Sequence, residues 1–164
     1  MHKESYHLMK AFLDKEDKTK SLKILEVGSL KFVGDAYRKI IEETKWEYTG
    51  LDLVAGDNVT LLVEDPYDYP LMDNSFDLVI SGQTLEHVEY IWVWIKELYR
   101  VTKKGGRICL IAPSRGKRHH RPDYWRVQPD GMRALLEWGG FKNIEVNLYK
   151  ESIWHDCVGT AVKL

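Results

Sequence analysis

Two acidic residues lie where strands of a nucleotide-binding sheet would end. Glu26 belongs to the apolar run 23–27, and Gly28 follows it in a turn. Asp52 comes near the end of a second such run, 47–53. In dinucleotide folds the acid after the second strand, about 20 residues beyond the glycine turn, binds the ribose hydroxyls of an adenosine. The spacing therefore predicts a ribose contact for Asp52, the alternative being an exposed turn residue or a helix cap.

A polar loop over 113–126 combines imidazole, cationic and aromatic side chains. His119 or His120 could take a proton from an acceptor hydroxyl, with Asp123 orienting the imidazole. Trp125 could stack on the face of a sugar ring, and the arginines could hold a phosphate or carboxylate. The predicted substrate-binding residues are His120, Arg121, Tyr124, Trp125 and Arg126. The alternative is a solvated basic loop whose tryptophan packs into the core.

A third histidine, His87, stands in the run LEHV. Imidazole titrates near working pH, so His87 is a second candidate base. The alternative is a residue that caps or anchors the next helix. The adjacent His119 and His120 also raise the question of a metal, but no further His or Asp set has convincing ligand spacing. The sequence therefore predicts no metal site.

Apolar strands and amphipathic helices alternate around these residues. We predict helices at 5–14, 34–44, 89–102 and 130–138, and strands at 23–27, 47–53, 59–63, 76–81, 107–112, 144–149 and 157–162. The cations and glycines of 103–106 should end the third helix, and Pro129 should open the fourth. The alternation predicts an α/β fold, a Rossmann-like doubly wound seven-stranded sheet. It would be mostly parallel, with an antiparallel C-terminal edge strand and helices on both faces.

Composition bounds the class of protein. The 164 residues suffice for a single domain over 1–164, with 1–20 as a leading helix and linker. A formal net charge of −1 argues against a general nucleic-acid surface. No apolar run approaches the roughly 18 residues of a membrane span, and the polar N-terminus has no signal-peptide core. With Cys109 in a strand-like apolar run, typical of a buried reduced thiol, these features favour a cytoplasmic protein.

The glycine turn narrows the choice of cofactor. It lacks the pattern G-x-G-x-x-G, because Ser29 and Leu30 follow Gly28 and the next glycine is Gly34. A pyrophosphate needs the close backbone approach that the missing glycine would allow. The turn thus disfavours NAD and FAD and tolerates a smaller adenosine ligand without phosphates.

Four blocks in order, ILEVG, GLDLV, DNSFDLVISGQTLEHV and VTKKGGRICLIAPS, carry a family resemblance. Over about 22–141 the chain resembles the class I S-adenosylmethionine-dependent methyltransferases, and among them the small type 11 group. Its glycine turn departs from the usual E/D-x-G-x-G-x-G. The loop also resembles that of methyltransferases associated with glycan biosynthesis, which carry H-x-x-P, D, WR and PDGM. The matching residues here are His119, Pro122, Asp123, Trp125, Arg126 and 129–132.

The resemblance implies S-adenosylmethionine as the cofactor and a set of cofactor contacts. These are Glu26, Gly28 and Ser29 at the methionine end, Asp52 at the ribose hydroxyls, Leu53 against the adenine, Asp65 near the adenine amino group, and Gln83 and Leu85 over the sulfonium region.

The sequence therefore predicts an O-methyltransferase that acts on an acceptor hydroxyl of a sugar or glycan, with His119, His87 and Asp123 as catalytic candidates. Without an inserted cap domain the site would be open, which suits a large acceptor or closure by a second copy of the chain. Three alternatives stay open: a methyltransferase acting on RNA or a phosphorylated small molecule, a non-catalytic cofactor-binding module, and a nicotinamide-dependent oxidoreductase.

Overall fold

Seven strands form one sheet in the order β3-β2-β1-β4-β5-β7-β6. The structure is a computed structural model that describes residues 2–31 and 36–164. Gly34 and the predicted start of the helix 34–44 lie outside these residues. The strands are β1 (Lys23–Val27), β2 (Glu47–Asp52), β3 (Leu61–Leu62), β4 (Phe76–Gly82), β5 (Thr102–Pro113), β6 (Lys142–Tyr149) and β7 (Asp156–Val162). The helices are α1 (Lys3–Leu13), α2 (Arg38–Ile41), α3 (Ile91–Val101) and α4 (Pro129–Gly139), with a 3₁₀ turn at Leu85–His87.

The fold class predicted from the sequence is confirmed. Strands β1 to β5 pair in parallel, and β7 pairs antiparallel with both β5 and β6. The antiparallel strand thus lies between two others, and β6 forms the edge of the sheet. None of the helices within residues 2–31 and 36–164 is long and apolar enough to cross a membrane.

Two cores cover the two faces of the sheet. In β1, Ile24 packs with Phe12 of α1 and Ile40 of α2, whereas Leu25 packs on the opposite face with Leu98 of α3. Alternation of side chains along a strand sends neighbours to opposite faces, so a strand covered by helices on both sides is apolar throughout. This burial fixes β1, β4 and β5 in the centre of the sheet, with their carboxyl ends at one edge.

The end of α3 differs from the prediction. The residues 103–106 do not cap the helix; they belong to β5, which begins directly at Thr102. Thr102 pairs with Phe76 of β4, and Lys103 Nζ donates to both carboxylate oxygens of Asp77 at 2.8 Å. Gly105, at φ +78°, lies beside an irregularity in this ladder. Cross-strand pairing therefore outweighs the local signal for a helix cap.

The third strand is shorter than predicted, whereas the start of the last helix is confirmed. Only 61–62 of the predicted 59–63 pair as a strand. The side chain of Thr60 instead accepts a hydrogen bond from the Gly50 N–H at 2.9 Å, which anchors the preceding turn. Pro129 occupies the first position of α4, where the missing N–H costs nothing. The helix ends at Gly139 and is capped by Gly140, which is left-handed at φ +108°.

Candidate functional site

A cavity of about 870 Å³ opens at the carboxyl ends of β1, β2 and β4. Of the residues predicted to bind the cofactor or take part in the chemistry, the cavity lining includes Glu26, Gly28, Ser29, Asp52, Leu53, Gln83, His87, His119, His120, Arg121 and Tyr124. The turn after β1 and the loop after β5 thus face the same space. This is the position at which open α/β sheets bind their ligands.

Glu26 supplies a buried carboxyl group to the cavity wall. Its exposed fraction is 4%, and the hydroxyl of Tyr48 donates to Oε2 at 2.7 Å. Burial raises the pKa of Glu26 to about 8; the hydrogen bond from Tyr48 opposes this shift and the charge of Asp52 adds to it. The carboxyl group is therefore largely protonated at neutral pH, and a cationic ligand group beside it would favour its ionised form.

The turn after β1 brings polar groups to the cavity. The N–H groups of Gly28 and Ser29 both donate to the Leu51 carbonyl, at 2.9 and 3.1 Å. Gly28 has φ +77°, and a Cβ there would lie 2.0 Å from the Thr84 Oγ1, so the turn requires glycine. The Ser29 Oγ and the Asn58 Nδ2 are buried and have no hydrogen-bond partner among the described residues. Such orphaned groups fit a polar ligand.

Asp52 connects β2 to the turn after β1. Its Oδ2 accepts from the Leu30 N–H at 2.9 Å and its Oδ1 from the Val54 N–H at 3.2 Å. Leu53, beside it, is 49% exposed on the cavity wall. Each carboxylate oxygen keeps a second acceptor site for a ligand hydroxyl. The sequence offered a ligand contact and a turn residue as alternatives for Asp52. In the structure Asp52 accepts hydrogen bonds from the turn and also lines the cavity.

Two predicted cofactor residues lie elsewhere. Asp65 and Leu85 are not among the lining residues of the cavity as far as the described chain shows. The Asp65 Oδ1 accepts from the Tyr67 N–H at 2.7 Å, and Leu85 is 1% exposed in the core. Gln83 does line the cavity, and its Nε2 donates to the Asp156 Oδ1 at 2.8 Å. The cofactor contacts assigned to Asp65 and Leu85 remain predictions from the resemblance alone.

Histidines from two loops meet at the wall of the cavity. The rings of His87 and His119 have centroids 5.3 Å apart, and the His119 ring lies 4.7 Å from that of Trp154. Burial lowers the pKa of His119 below its ordinary value; the charge of Asp123 opposes this shift, and the Arg126 guanidinium adds to it. At neutral pH His119 is therefore a neutral imidazole that can accept a proton.

Trp154 is a site residue that sequence reasoning could not place. It lies between β6 and β7, and its carbonyl accepts from the N–H groups of Ser114 and Arg115 at 3.1 and 3.0 Å. A Cβ at Gly116 would lie 2.2 Å from the indole, so the loop after β5 closes tightly over it. No local pattern signals this contact, because it depends on the docking of the last hairpin.

Asp123, Trp125 and Arg126 hold the loop rather than line the cavity, within the part of the chain that the structure describes. The Arg126 guanidinium donates to both oxygens of Asp123, at 2.6 and 2.8 Å, and the pKa of Asp123 falls well below its usual range. The His119 backbone N–H also donates to Asp123, at 2.8 Å. Trp125 packs against the core and donates to the Val88 carbonyl at 2.7 Å. This is the packing that the sequence offered as the alternative for this tryptophan.

Glu86 is a second residue that the sequence did not single out. Its side chain is fully buried in the 3₁₀ turn after β4, and neither oxygen has a hydrogen-bond partner within residues 2–31 and 36–164. Burial raises the pKa of Glu86 to about 8. Its Oε1 lies 3.7 Å from the Nε2 of His87. A buried carboxyl group beside two cavity histidines is typical of a functional site.

Loss of the Asp123 carboxylate should destabilise the loop and the fold. We expect Asp123→Ala to lower the free energy of unfolding by about 1–3 kcal/mol, since Arg126 loses a bidentate charged partner. Urea unfolding of the two proteins measures the difference. Asp68→Ala, at an exposed acid, serves as the control and should change the unfolding free energy by less than about 0.5 kcal/mol. Equal effects of the two substitutions would contradict the role of Asp123.

The comparison with known families decides the class. Residues 27–110 match the family described as Methyltransferase domain, type 11. The chain belongs to this family. The predicted class, an S-adenosylmethionine-dependent methyltransferase, is thereby confirmed, and with it the cofactor that the family uses.

Curated relatives share part of the chain. A demethylmenaquinone methyltransferase of Symbiobacterium thermophilum is 36% identical over 86 residues, 50% of this chain and 33% of the relative. The chloroplastic tocopherol O-methyltransferase of Arabidopsis thaliana is 30% identical over 114 residues, 60% of this chain and 32% of the relative. The chain thus spans about a third of the length of these two relatives.

Solved structures share the fold over nearly the whole chain. An S-adenosylmethionine-dependent methyltransferase of Archaeoglobus fulgidus has a TM-score of 0.75 at 16% identity, covering 96% of this chain and 94% of that one. Phosphoethanolamine N-methyltransferase 2 of Haemonchus contortus, solved with S-adenosyl-L-methionine, has a TM-score of 0.75 at 19% identity. That match covers 98% of this chain and 52% of the other. At such identities the similarity concerns the fold.

Proposed function

We propose that the chain transfers a methyl group from S-adenosylmethionine to a hydroxyl oxygen of an acceptor bound beside His119. The observation that carries the proposal is the pair of adjacent histidines, His87 and His119, on the cavity wall. Oxygen methylation requires the hydroxyl proton to be taken up, which a neutral imidazole can do. A methyl transfer that required only the alignment of donor and acceptor would not require a histidine base.

The residues of the β1 end fit the cofactor. Glu26 offers a carboxyl group to a cationic amino group, Ser29 and Asn58 offer unpartnered polar atoms, and Asp52 offers acceptor sites to ribose hydroxyls. When bound, S-adenosylmethionine supplies the methyl group on a positively charged sulfonium. Gln83, held by Asp156, would lie between this end and the histidines. The chain's own contribution is then to bind, to orient and to exclude water.

A sugar or glycan hydroxyl is the first candidate acceptor. The exposed side chains of His120 and Arg121 line the cavity mouth and can bond to hydroxyl, carboxylate or phosphate groups of a saccharide. Trp154 gives the aromatic face that the sequence assigned to Trp125. This proposal keeps the predicted acceptor class and changes the residue that would stack on it.

A hydroquinone is the second candidate acceptor, favoured by the aromatic lining. Tyr67, Tyr90 and Tyr124 line the cavity together with Trp154, and flat rings pack well against such side chains. A relative in Oryza sativa is named for a 1,4-hydroquinone, and others are named for demethylmenaquinone and tocopherol. A hydroquinone also presents a hydroxyl group to His119, so the same base would serve both acceptors.

Product formation tests the proposal. The protein would be incubated with S-adenosylmethionine and with matched panels of saccharides and hydroquinones, and S-adenosylhomocysteine release would be measured with mass spectrometry of the acceptor. We expect a mass gain of one methyl group on an acceptor oxygen. Binding of S-adenosylhomocysteine without transfer to either panel would favour a non-catalytic module. Transfer to a carbon atom would contradict the proposed chemistry.

The protonation of Glu26 makes a separate prediction about stability. Its pKa of about 8 in the fold lies above its value of 4.5 in an unfolded chain, so the native state binds more protons between these values. The stabilisation from this group is complete below pH 4.5 and is lost as the pH rises through 8. We expect the melting temperature to fall more steeply from pH 5 to pH 9 in the wild type than in Glu26→Gln. Parallel melting curves would contradict the burial argument.

A further inference from the structure

We propose that Glu86, His87 and His119 bind a divalent transition-metal ion of the zinc type at the acceptor end of the cavity. One ligand atom of each residue lies within 4.8 Å of those of the other two. Two imidazoles and one carboxylate form a ligand set that binds zinc in catalytic sites with an open position. No sequence pattern indicates this site, because the three residues come from two segments that follow the neighbouring strands β4 and β5.

The carboxylate is the first support. Glu86 is fully buried, and both of its oxygens are without a hydrogen-bond partner in the described ranges 2–31 and 36–164. A buried polar group without a partner costs free energy unless a ligand, an ion or a proton satisfies it. The group is aimed at His87 rather than at solvent, with the Oε1 and the Nε2 separated by 3.7 Å.

The tautomer of His87 is the second support. Its Nδ1 lies 2.5 Å from the Pro122 carbonyl oxygen, which can only accept, so Nδ1 carries the proton. The Nε2 of a neutral His87 therefore presents a lone pair, and it faces a carboxyl oxygen of Glu86 at 3.7 Å. Either a proton on Glu86 or a cation between the two groups satisfies this pair. Two ligands on a tetrahedral zinc, each about 2.0 Å from the ion, lie about 3.3 Å apart, so a small movement would suffice.

His119 completes the set. Its Nδ1 lies 3.3 Å from the Asp123 Oδ2, and its ring packs against Trp154. Metal-binding histidines commonly direct one ring nitrogen at a carboxylate or carbonyl group, which fixes the ring and leaves the other nitrogen for the ion. Pro122 would serve His87 in this way. The His119 Nδ1 is buried beside Asp123 without a hydrogen-bond partner among the described residues, so it is a second unsatisfied polar atom of the cluster besides the Glu86 oxygens.

The role of the ion rests on the proposed function. Three protein ligands leave a coordination position toward the cavity, because His87 and His119 line it while Glu86 lies behind them. An acceptor hydroxyl bound there would have a lowered pKa and would lose its proton to water. The histidines would then orient the acceptor through the ion and would no longer take the proton themselves.

Metal binding is tested without cofactor or acceptor. The full chain, freed of metal by a chelator, would be titrated with Zn²⁺ by calorimetry, and its Co²⁺ form would be examined by visible absorption. We expect one ion per chain, bound with a Kd in the micromolar range or below. Glu86→Gln and His119→Ala should each weaken Zn²⁺ binding by at least tenfold and change the Co²⁺ bands. His7→Ala, at an exposed histidine of α1, is the matched control and should bind as the wild type does.

Either of two results would overturn the proposal. One is a wild type that binds no Zn²⁺, in which case a proton on Glu86 satisfies the pair of Glu86 and His87. The other is a set of variants that melt cooperatively yet bind Zn²⁺ as tightly as the wild type. Glu86→Gln keeps the shape of the side chain, so its fold should survive. A separate measurement of S-adenosylhomocysteine binding distinguishes the metal site from the proposed function. The chain can bind S-adenosylhomocysteine without binding Zn²⁺, and it can bind Zn²⁺ without binding S-adenosylhomocysteine.

Discussion

Replacing His119 by alanine lowers kcat by about 10²- to 10⁴-fold, the usual contribution of a group that manages a proton in the transition state. The histidine lines the cavity, its ring is held by Trp154, and burial keeps it neutral at pH 7. The loss is expected whether the imidazole takes the proton or holds an ion that binds the acceptor. Steady-state kinetics with the acceptor found in the panels would measure it.

The control variant for this experiment is His7→Ala, whose histidine lies on the exposed side of α1. It should keep kcat within about twofold of the wild type. The affinity of His119→Ala for S-adenosylhomocysteine should also be unchanged, since the proposed cofactor contacts are made by other residues, those of the turn after β1 and Asp52. A variant that loses cofactor affinity and activity together would show that His119 supports the fold of the site and not the transfer.

Replacing Asp52 by alanine weakens S-adenosylhomocysteine binding by more than tenfold, or about 1.4 kcal/mol. The substitution removes the acceptor for ribose hydroxyls. It also frees the N–H groups of Leu30 and Val54, which Asp52 holds at 2.9 and 3.2 Å. Both effects loosen the same wall of the cavity. Calorimetric titration with S-adenosylhomocysteine measures the change.

Two comparisons separate these effects. Asp52→Asn keeps an oxygen acceptor for one backbone N–H and should restore the melting temperature more than the affinity. Asp65→Ala is the matched acidic control: its carboxylate bonds to the Tyr67 N–H outside the described cavity lining, and we expect a change of affinity below about twofold. A loss in Asp65→Ala as large as in Asp52→Ala would instead support the adenine contact that the resemblance implies.

Elements with strong local signals were predictable from the sequence. Strands β1, β4 and β5 have mainly apolar central segments because helices cover both faces, and this pattern needs no knowledge of the partners. Pro129 marks the start of α4 because its ring fixes φ near the helical value and removes the N–H, which is tolerated in the first turn of a helix. Asp52 could be assigned to the cavity because the spacing between two consecutive strand ends is a local property.

Contacts between distant parts of the chain were decided by the tertiary structure. The last hairpin brings Trp154 onto His119, and Gln83 bonds to Asp156 across 73 positions of sequence. Pairing of Thr102 with Phe76 turned a predicted helix cap into the start of a strand. In each case a contact that no local pattern encodes outweighed the local preference.

The composition of the site follows the same division. The sequence by itself determined the acids and the glycine at the strand ends, because these depend on short spacings, and its resemblance to a known family indicated the class of the protein. Only the folded chain decided that Trp125 packs inward while Trp154 faces the cavity, and that Glu86 is buried against His87. Which face of a loop or turn reaches a cavity depends on what packs behind it, and that is a property of the whole sheet and its two helical layers.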